Sequence, residues 1–329
     1  MVKKKKAFKR ILLFLFYQIV VIGITSPFML LYGPYKNTRK TVVSTVMATR
    51  HQYLITNFLS EGTIDQILGN TKEAFKETSQ DINKISIKHK NSDEVMRYDI
   101  NTDRFDGYLL EIKNPTKVKV SMTKYLGEKG QKTSEMAIDK NAIAAINGGS
   151  FIDKSSDGML YAGTGASPGG YVISNGKVIF PTENIDENAK ENVVAFTKEG
   201  KLIVGDHTIK DLKKLNVMEA ICFRPPTLIV NSERQIKDKL KDGYNPRTAV
   251  GQKADGTVLF LVVDGRKSLT KLGASLYDLQ EILLERGAIN AGNLDGGYSS
   301  TMYYEEEVIN SPNSWDGERS VATAFYVEN

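Results

Sequence analysis

Cysteine, histidine and tryptophan are scarce in this chain of 329 residues, which has one cysteine, three histidines and one tryptophan. The single cysteine, Cys222, excludes an intrachain disulfide and a zinc site built from several cysteines. Its apolar neighbours, residues 219–223, predict a buried structural thiol. The histidines, His51, His89 and His207, are far apart in sequence, so we expect neither a histidine zinc site nor a Ser-His-Asp triad.

The chain also has little net charge once its N-terminus is set aside. The formal charge is +5, but six basic residues fall within positions 1–10. The remainder is close to neutral, so we expect no nucleic-acid partner. Hydrophobic residues make up 41% and charged residues 25%, which is ordinary globular composition, and the length allows one large domain or two small ones.

One long stretch without charged side chains lies near the N-terminus, at residues 11–31. A helix of about 20 apolar residues crosses the hydrocarbon core of a bilayer. The basic residues before it predict a cytoplasmic N-terminus and an extracellular remainder. A cleaved signal peptide is the alternative, but its apolar core would be shorter. We therefore predict a cytoplasmic segment at 1–10 and a single-pass anchor in the cell membrane at 11–32.

Two further regions follow the predicted anchor. Residues 33–91 place apolar side chains at helical spacing, which indicates a helical stalk that holds the rest of the chain off the bilayer or self-associates, with a structured lid over the following domain as the alternative. Residues 92–329 contain short β-rich runs separated by glycine turns, which indicates a globular domain. The fold class predicted from this pattern is α+β, with a mixed β-sheet catalytic domain and a few helices after the transmembrane helix and stalk.

Turn and cap signals locate several elements of this domain. Asn175-Gly176 and Asp255-Gly256 are each flanked by strand-like runs and predict β-hairpins, the second joining residues 247–252 to 257–263. Ser275 with Asp278 predicts a capped helix start. That helix leads directly into residues 288–302, the densest polar stretch of the chain.

This dense stretch holds a carboxylate, paired glycines and hydroxyl groups. Asp295 precedes Gly296 and Gly297, and three hydroxyl residues, 299–301, follow. Glycine lets backbone N–H groups approach a ligand closely. The stretch can therefore handle a sugar or a phosphate ester, although an ordinary polar turn gives the same pattern. The string 145–150 echoes it, so the two turns are expected to share one site unless the similarity is chance.

Polar residues also stand where other strands are predicted to end: Asn147, Arg247, Asp264, Arg266, Asp295, Glu318 and Arg319. Arginine binds carboxylates and phosphates through its planar fork. Three arginines near acidic residues therefore suggest an anionic ligand in one shared pocket. Buried Arg–Asp pairs, such as Asp264 with Arg266, are the alternative interpretation.

Five strings in fixed order carry a resemblance to a known family. They are residues 144–151, 245–251, 262–266, 293–302 and 317–319. Over residues 107–327 the chain resembles the phosphodiester glycosidase family, whose bacterial members are often labelled exopolysaccharide biosynthesis proteins. Tyr298 departs from the family pattern, since a glycine or serine is usual there, and so does Ser320, where proline or alanine is frequent.

The resemblance implies hydrolysis of sugar-1-phosphodiesters at the anomeric C1–O bond, with no cofactor and no metal. The substrate would be a cell-surface glycan, an exopolysaccharide or another sugar phosphate. The implied catalytic carboxylates are Asp295 and Asp264, with Glu318 in reserve. The implied substrate-binding residues are Asn147, Gly148, Gly149, Arg247, Thr248, Arg266, Gly296, Gly297, Ser299, Ser300 and Arg319.

Two other functions remain open from the residues alone. A non-catalytic cell-wall glycan-binding or assembly protein would use the same cleft, with Trp315 able to stack on a sugar. A metal-dependent phosphodiesterase would bind a hard cation through Asp264, Asp295 and Glu318. The ordered acidic and arginine motifs favour the glycosidase, because simple glycan binders more often present aromatic platforms.

Overall fold

The computed structural model describes residues 2–47, 52–68, 79–152, 164–268, 270–313 and 317–329. The chain divides into two compact units, Met1–Glu73 and Ala74–Asn329. His51 and Trp315, both considered above, lie outside the described residues.

The first unit is helical. Its helices are α1 (Val2–Tyr32), α2 (Lys36–Met47), α3 (Tyr53–Thr56) and α4 (Glu61–Leu68). Within α1, Lys9–Tyr32 is long and apolar enough to cross a membrane, with a mean hydropathy of 2.1. Apolar side chains from all four helices and the turn after α3 pack into a small core: Leu31, Val43, Ile55, Leu59, Ile64 and Leu68. The segment after α1 is therefore a compact cluster of short helices and not one extended helix.

Residues 79–91, which the sequence assigned to the stalk, make hydrogen bonds with strands and turns of the second unit. Gln80 donates to the Leu202 carbonyl oxygen at 2.6 Å and accepts from the Val204 N–H at 2.9 Å. The Ser86 N–H donates to the Ala254 carbonyl oxygen at 2.8 Å. Residues 79–91 thus belong to the second unit, which begins at Ala74, whereas the sequence assigned them to the stalk.

The second unit is rich in strands. Its helices are α5 (Thr133–Asp139), α6 (Ile209–Lys214) and α7 (Leu276–Glu285), with 3-10 turns at Ile82–Lys84, Pro115–Lys117 and Gly297–Ser299. Its strands are β1 (Val95–Asn101), β2 (Asp106–Ile112), β3 (Val118–Met122), β4 (Ala142–Asn147), β5 (Phe151–Ile152), β6 (Ser167–Pro168), β7 (Val172–Ser174), β8 (Lys177–Phe180), β9 (Lys190–Thr197), β10 (Leu202–Thr208), β11 (Val217–Cys222), β12 (Ile229–Val230), β13 (Glu233–Arg234), β14 (Arg247–Lys253), β15 (Val258–Val263), β16 (Ala288–Asn293), β17 (Met302–Tyr304), β18 (Glu307–Val308) and β19 (Thr323–Glu328).

These strands form three main sheets and one two-stranded ribbon, β5-β6. The first sheet has the order β1-β2-β15-β14-β16-β12-β13, the second β10-β9-β11-β7-β8 and the third β18-β17-β4-β19-β3. Paired strands run antiparallel wherever the structure describes them. The α+β prediction is confirmed. The domain combines β-sheets with helices, but within the described residues its sheets do not mix parallel and antiparallel pairs.

The local signals in the sequence form the predicted turns and cap. Asn175 and Gly176 both have positive φ, +51° and +74°, as a two-residue hairpin requires. The hairpin through Gly256 joins β14 to β15. The Ser275 hydroxyl accepts from the Asp278 N–H while the Asp278 carboxylate accepts from the Ser275 N–H, so the predicted helix start is confirmed.

The three sheets share one apolar core. Phe196 of the second sheet and Phe325 of the third meet edge to face, with ring centroids 5.8 Å apart, and Phe260 of the first joins them. Helix α7 covers the other face of the first sheet through Leu279 and Leu283. This packing brings the end of β4, from the third sheet, to the ends of β14 and β16, which are neighbours in the first sheet.

Candidate functional site

The candidate site is centred on Asp295, two residues after β16 ends. Its side chain is partly exposed, and the Gly296 N–H donates to Asp295 Oδ1 at 3.0 Å. Burial raises the pKa of the Asp295 carboxyl, whereas Ser299 and the positive charges of Arg319 and Arg224 act in the opposite direction. A carboxylate that is incompletely solvated and surrounded by cations suits a nucleophile or a general base.

Asn147 joins the two turns that the sequence echo paired. Its Nδ2 donates to the Asp295 carbonyl oxygen at 2.7 Å, and its Oδ1 accepts from Thr248 Oγ1 at 2.7 Å and from the Thr301 N–H at 3.1 Å. The Asp295 N–H donates in return to the Gly148 carbonyl oxygen at 3.1 Å. The two echoed turns are therefore joined by hydrogen bonds. Asn147 and Thr248 are buried and make these contacts, which hold the turn in place.

Glycines allow the backbones around this junction to approach closely. A Cβ on Gly149 would lie 2.0 Å from the Cys222 carbonyl oxygen, and one on Gly296 would lie 2.7 Å from the Pro246 carbonyl oxygen. Gly297 has φ +64°, a left-handed conformation that other residues rarely adopt. The predicted glycine positions thus serve the packing of the turns around Asp295.

Arg247 is held inside the protein. Its guanidinium donates to the carbonyl oxygens of Ala274, Asp242 and Gly243 at 3.1, 2.7 and 2.9 Å. Burial lowers the pKa of Arg247 to about 10, and the Asp242 carboxylate opposes this shift. The Arg247 side chain therefore braces the loop before β14, which differs from the phosphate-binding role that the resemblance implied.

Arg266 has donor capacity that the protein leaves unused. Its Nη2 donates to Asn245 Oδ1 at 2.6 Å, but Nε and Nη1 are buried without a hydrogen-bond partner. Its guanidinium carbon lies 5.2 Å from the centroid of the Tyr298 ring. Leaving a buried donor unsatisfied costs about 1–3 kcal/mol, more for a charged group. An anionic oxygen placed against Arg266 would remove that cost.

The charges of two further arginines act on the Asp295 carboxylate. The guanidinium of Arg319 lies over the Phe151 ring at 4.8 Å, and its charge lowers the pKa of Asp295. Arg224, an exposed residue after β11, lowers the pKa values of both Asp295 and Arg247. Arg224 is absent from the predicted site, yet it stands at a strand end, the same signal that located the other arginines.

Three buried hydroxyls follow the paired glycines. Ser299, Ser300 and Thr301 have no hydrogen-bond partner for their side-chain oxygens. The Ser299 hydroxyl lowers the pKa of Asp295, so the two groups lie close, although their geometry falls short of a full hydrogen bond. Buried hydroxyls are normally paired. The hydroxyls of Ser299 and Ser300 thus lack a protein partner although their side chains are buried.

The other two predicted carboxylates make internal contacts. Asp264 is buried and accepts from Asn310 Nδ2 at 2.8 Å and the Ser311 N–H at 2.9 Å, with Lys267 Nζ also at 2.9 Å. The alternative in which Asp264 pairs with Arg266 is wrong, because the cationic partner of Asp264 is Lys267. Glu318 accepts from the N–H and hydroxyl of Ser134 at the start of α5. The structure gives neither carboxylate a contact with Asp295.

Cys222 is buried, as predicted, and burial raises the pKa of its thiol to about 12, which makes it a poor nucleophile. Within the described ranges, no three or more His, Cys, Asp or Glu side chains converge as a metal site would require. A cleft of 310 Å³ is lined partly by Lys124, Tyr125 and Ser320. It includes the sequence neighbour of Arg319 but none of the residues around Asp295.

Comparisons with known proteins bear on this site. Residues 140–328 match a family described as phosphodiester glycosidase. Bovine N-acetylglucosamine-1-phosphodiester alpha-N-acetylglucosaminidase is 36% identical over 87 residues, which are 25% of this chain and 16% of that protein. The SPbeta prophage-derived uncharacterized protein YomE of Bacillus subtilis is 44% identical over 84 residues, 25% of this chain and 13% of that protein. The matched part thus covers a small share of either relative.

A solved structure has the same fold. The catalytic domain of zebrafish N-acetylglucosamine-1-phosphodiester alpha-N-acetylglucosaminidase superimposes with a TM-score of 0.59 at 22% identity, covering 74% of this chain and 87% of that one. At this identity the likeness concerns the fold alone.

Proposed function

This chain belongs to the phosphodiester glycosidase family, as its five ordered strings predicted, and we propose that it hydrolyses sugar-1-phosphodiesters at the site around Asp295. The observation that supports this most strongly is the presence, at one turn, of a partly exposed carboxylate, Asp295, and a guanidinium with unused donors, since a Cβ on Gly297 would lie 3.7 Å from Arg266 Nη1. Asp295 lies among the charges of Arg319 and Arg224, and Arg266 has two buried nitrogens without partners. The Asp295 carboxylate suits a developing cation at the sugar, and the Arg266 guanidinium suits a phosphate.

The chemistry follows from the leaving group. Cleavage breaks the bond between C1 and the bridging oxygen, and the electron pair stays on that oxygen. The product is a phosphate monoester, whose second pKa is about 6, so it departs without strong protonation. Arg266 and the neighbouring arginines stabilise its charge. Asp295 either attacks C1 or removes a proton from the water that attacks C1, and water finally supplies the new hydroxyl group of the sugar.

The remaining residues divide into ligand-binding and positioning groups. Ser299 and Ser300 bind sugar hydroxyls or phosphate oxygens through their unpaired side chains. Asn147 and Arg247 hold the turn and the loop that carry these groups. Asp264 stabilises the segment around Asn310 and is not the partner of Asp295 in catalysis.

Hydrolysis of aryl phosphodiesters of several sugars by the full chain in detergent tests this function. The reaction is run in ¹⁸O-labelled water, with and without a chelator. Release of sugar that carries the label at C1, with the chelator present, supports cleavage of the C1–O bond. An Asp295→Asn variant, which keeps the shape of the side chain, is the matched control and should release little sugar.

The same reaction distinguishes the two other functions. Label in the phosphate, with turnover abolished by the chelator, would identify a metal-dependent phosphodiesterase. Binding of the diester without turnover would identify a glycan-binding or assembly protein. Either outcome contradicts the glycosidase proposal.

We further propose that residues 1–10 are cytoplasmic, that 11–32 anchor the chain in the cell membrane, and that the second unit acts outside on a cell-surface glycan or exopolysaccharide. The 24-residue apolar helix Lys9–Tyr32 supports this proposal, together with the six basic residues in the first ten. Mass measurement of the chain from washed membranes checks it. An intact N-terminus supports the anchor, whereas loss of the apolar helix indicates a cleaved signal peptide.

A further inference from the structure

The first unit contacts the C-terminal end of its own apolar helix. The Tyr32 hydroxyl donates to the Phe58 carbonyl oxygen, and Arg39 Nη1 donates to the Leu31 carbonyl oxygen at 3.3 Å. Leu31 is buried in the same core as Ile55. The short helices therefore fold back onto the last turn of α1 and do not extend away from it.

The direction of helix side chains fixes the level of this contact. Cα–Cβ bonds in an α-helix tilt toward its N-terminus, so the hydroxyl of Tyr32 lies at the level of its own Cα or nearer the apolar part of α1. Phe28 and Tyr32 stack with ring centroids 6.3 Å apart along this end. Phe58 is thus level with the last apolar turn of the proposed anchor.

An apolar patch is exposed at this level. Tyr53, Leu54 and Phe58 are 53%, 50% and 52% exposed, whereas their neighbours Ile55 and Leu59 are buried in the core of the unit. The core of the unit therefore takes up the face with Ile55 and Leu59, while the face with Leu54 and Phe58 is exposed. Aromatic side chains at the end of a membrane span commonly lie among lipid headgroups.

We propose that Tyr53, Leu54 and Phe58 insert into the bilayer interface, so that the segment after the anchor lies on the membrane surface and does not rise from it as a stalk. The occupant of the patch is lipid, because the patch is continuous with the apolar surface of α1 through Tyr32. The proposal rests on the anchor proposed above.

Fluorescence of single-tryptophan variants tests this inference. Trp315→Phe removes the native tryptophan, and Phe58→Trp or Leu54→Trp places a probe in the patch of the full chain. Gln66→Trp, at an exposed polar position of α4, is the matched control. Each variant is reconstituted in phosphatidylcholine vesicles with ordinary or brominated acyl chains. We expect brominated lipid to reduce the emission of both patch probes much more than that of the Gln66→Trp probe.

The outcomes separate this inference from the proposals on which it depends. Patch probes that float with the vesicles but are quenched no more than the control overturn the inference alone. Unquenched patch probes with blue-shifted emission also overturn it, since protein would then cover the patch. A chain that fails to float with vesicles overturns the anchor and the patch together, and the hydrolysis assay in detergent is independent of both.

Discussion

Asn147 donates to the backbone carbonyl oxygen of Asp295 at 2.7 Å across 148 positions of sequence. The contact joins a turn after β4 of the third sheet to a turn after β16 of the first. The Asp295 carboxylate beside the paired glycines is therefore positioned by a buried amide.

Replacing Asp295 by asparagine should abolish most turnover and leave the fold intact. A catalytic carboxylate acting as nucleophile or base contributes a factor of roughly 10²–10⁴ or more, so kcat should fall by at least that much. Asp264→Asn should behave differently, because it loses hydrogen bonds worth about 1–3 kcal/mol of unfolding free energy. Steady-state kinetics and urea unfolding of both variants check this. An Asp264→Asn protein of normal stability without activity would contradict the assignment.

The Arg247→Met and Arg266→Met variants should differ in how much stability and how much activity they lose. Arg247→Met leaves three carbonyl oxygens without donors and should lower the unfolding free energy by about 1–3 kcal/mol. Arg266→Met removes one hydrogen bond, from Nη2 to Asn245 Oδ1, and two donors that have no partner, so it should cost less stability than Arg247→Met while kcat/KM falls. Thermal unfolding measured beside kinetics gives both quantities. Equal loss of stability in the two variants would show that Arg266 is structural as well.

Asn147→Ala should impair catalysis without contacting substrate. It removes the partner of the buried Thr301 N–H and frees the turn that carries Asp295, at a cost of about 1–3 kcal/mol. Turnover should fall more than apparent substrate affinity, because the carboxylate is misplaced and not the binding groups. The ratio of the change in kcat to the change in KM measures this, and Asn147→Asp should not restore activity because it lacks the donor. An unchanged kcat would contradict the positioning role.

Activity and stability should depend on pH in opposite ways through Asp295. Burial raises the pKa of its carboxyl above the ordinary value of 3.8. Because the ionised form is the reactive one, kcat/KM should fall with decreasing pH through that raised pKa, at a higher pH than an ordinary aspartate would give. A pH–rate profile measures this.

The stability contribution runs the other way. An acid whose pKa is higher in the folded state stabilises the fold fully below its unfolded pKa, and the contribution is lost as pH rises through the folded pKa. The unfolding free energy of the wild type minus that of Asp295→Asn should therefore decrease as pH rises over this interval. Urea unfolding at a series of pH values tests the sign, and an increase would contradict it.

Much of the fold was predictable because its signals are local. The hairpin at Asn175-Gly176 and the helix start at Ser275 depend on residues within four positions of one another, and both are confirmed. The strand-end rule also located Asp295, Arg266 and Arg319.

The partners of those residues were not predictable, since they come from distant segments. Asp264 meets Asn310 from 46 positions away, and Arg247 donates to the carbonyl of Ala274, 27 positions away. Carbonyl oxygens exist at every residue, so no sequence pattern distinguishes an arginine that braces a loop from one that binds phosphate. Arg224 also follows a strand, but it precedes two prolines, a pattern that is typical of a turn and carries no sign of a ligand.

The family match begins at residue 140, but the first three strands of the second unit precede it. Strand β2 pairs with β15, and β3 pairs with β19. A clone trimmed to the matched region would lack β2 and β3. The backbone edges of β15 and β19 would then be exposed, which favours aggregation. Gln80 and Ser86, which precede β1, also hydrogen-bond to this unit: Gln80 to the Leu202 carbonyl oxygen of β10 and Ser86 to the Ala254 carbonyl oxygen in the β14–β15 turn. A shortened form suitable for expression and crystallisation should therefore keep Ser79 and all residues after it, and not only the matched region 140–328.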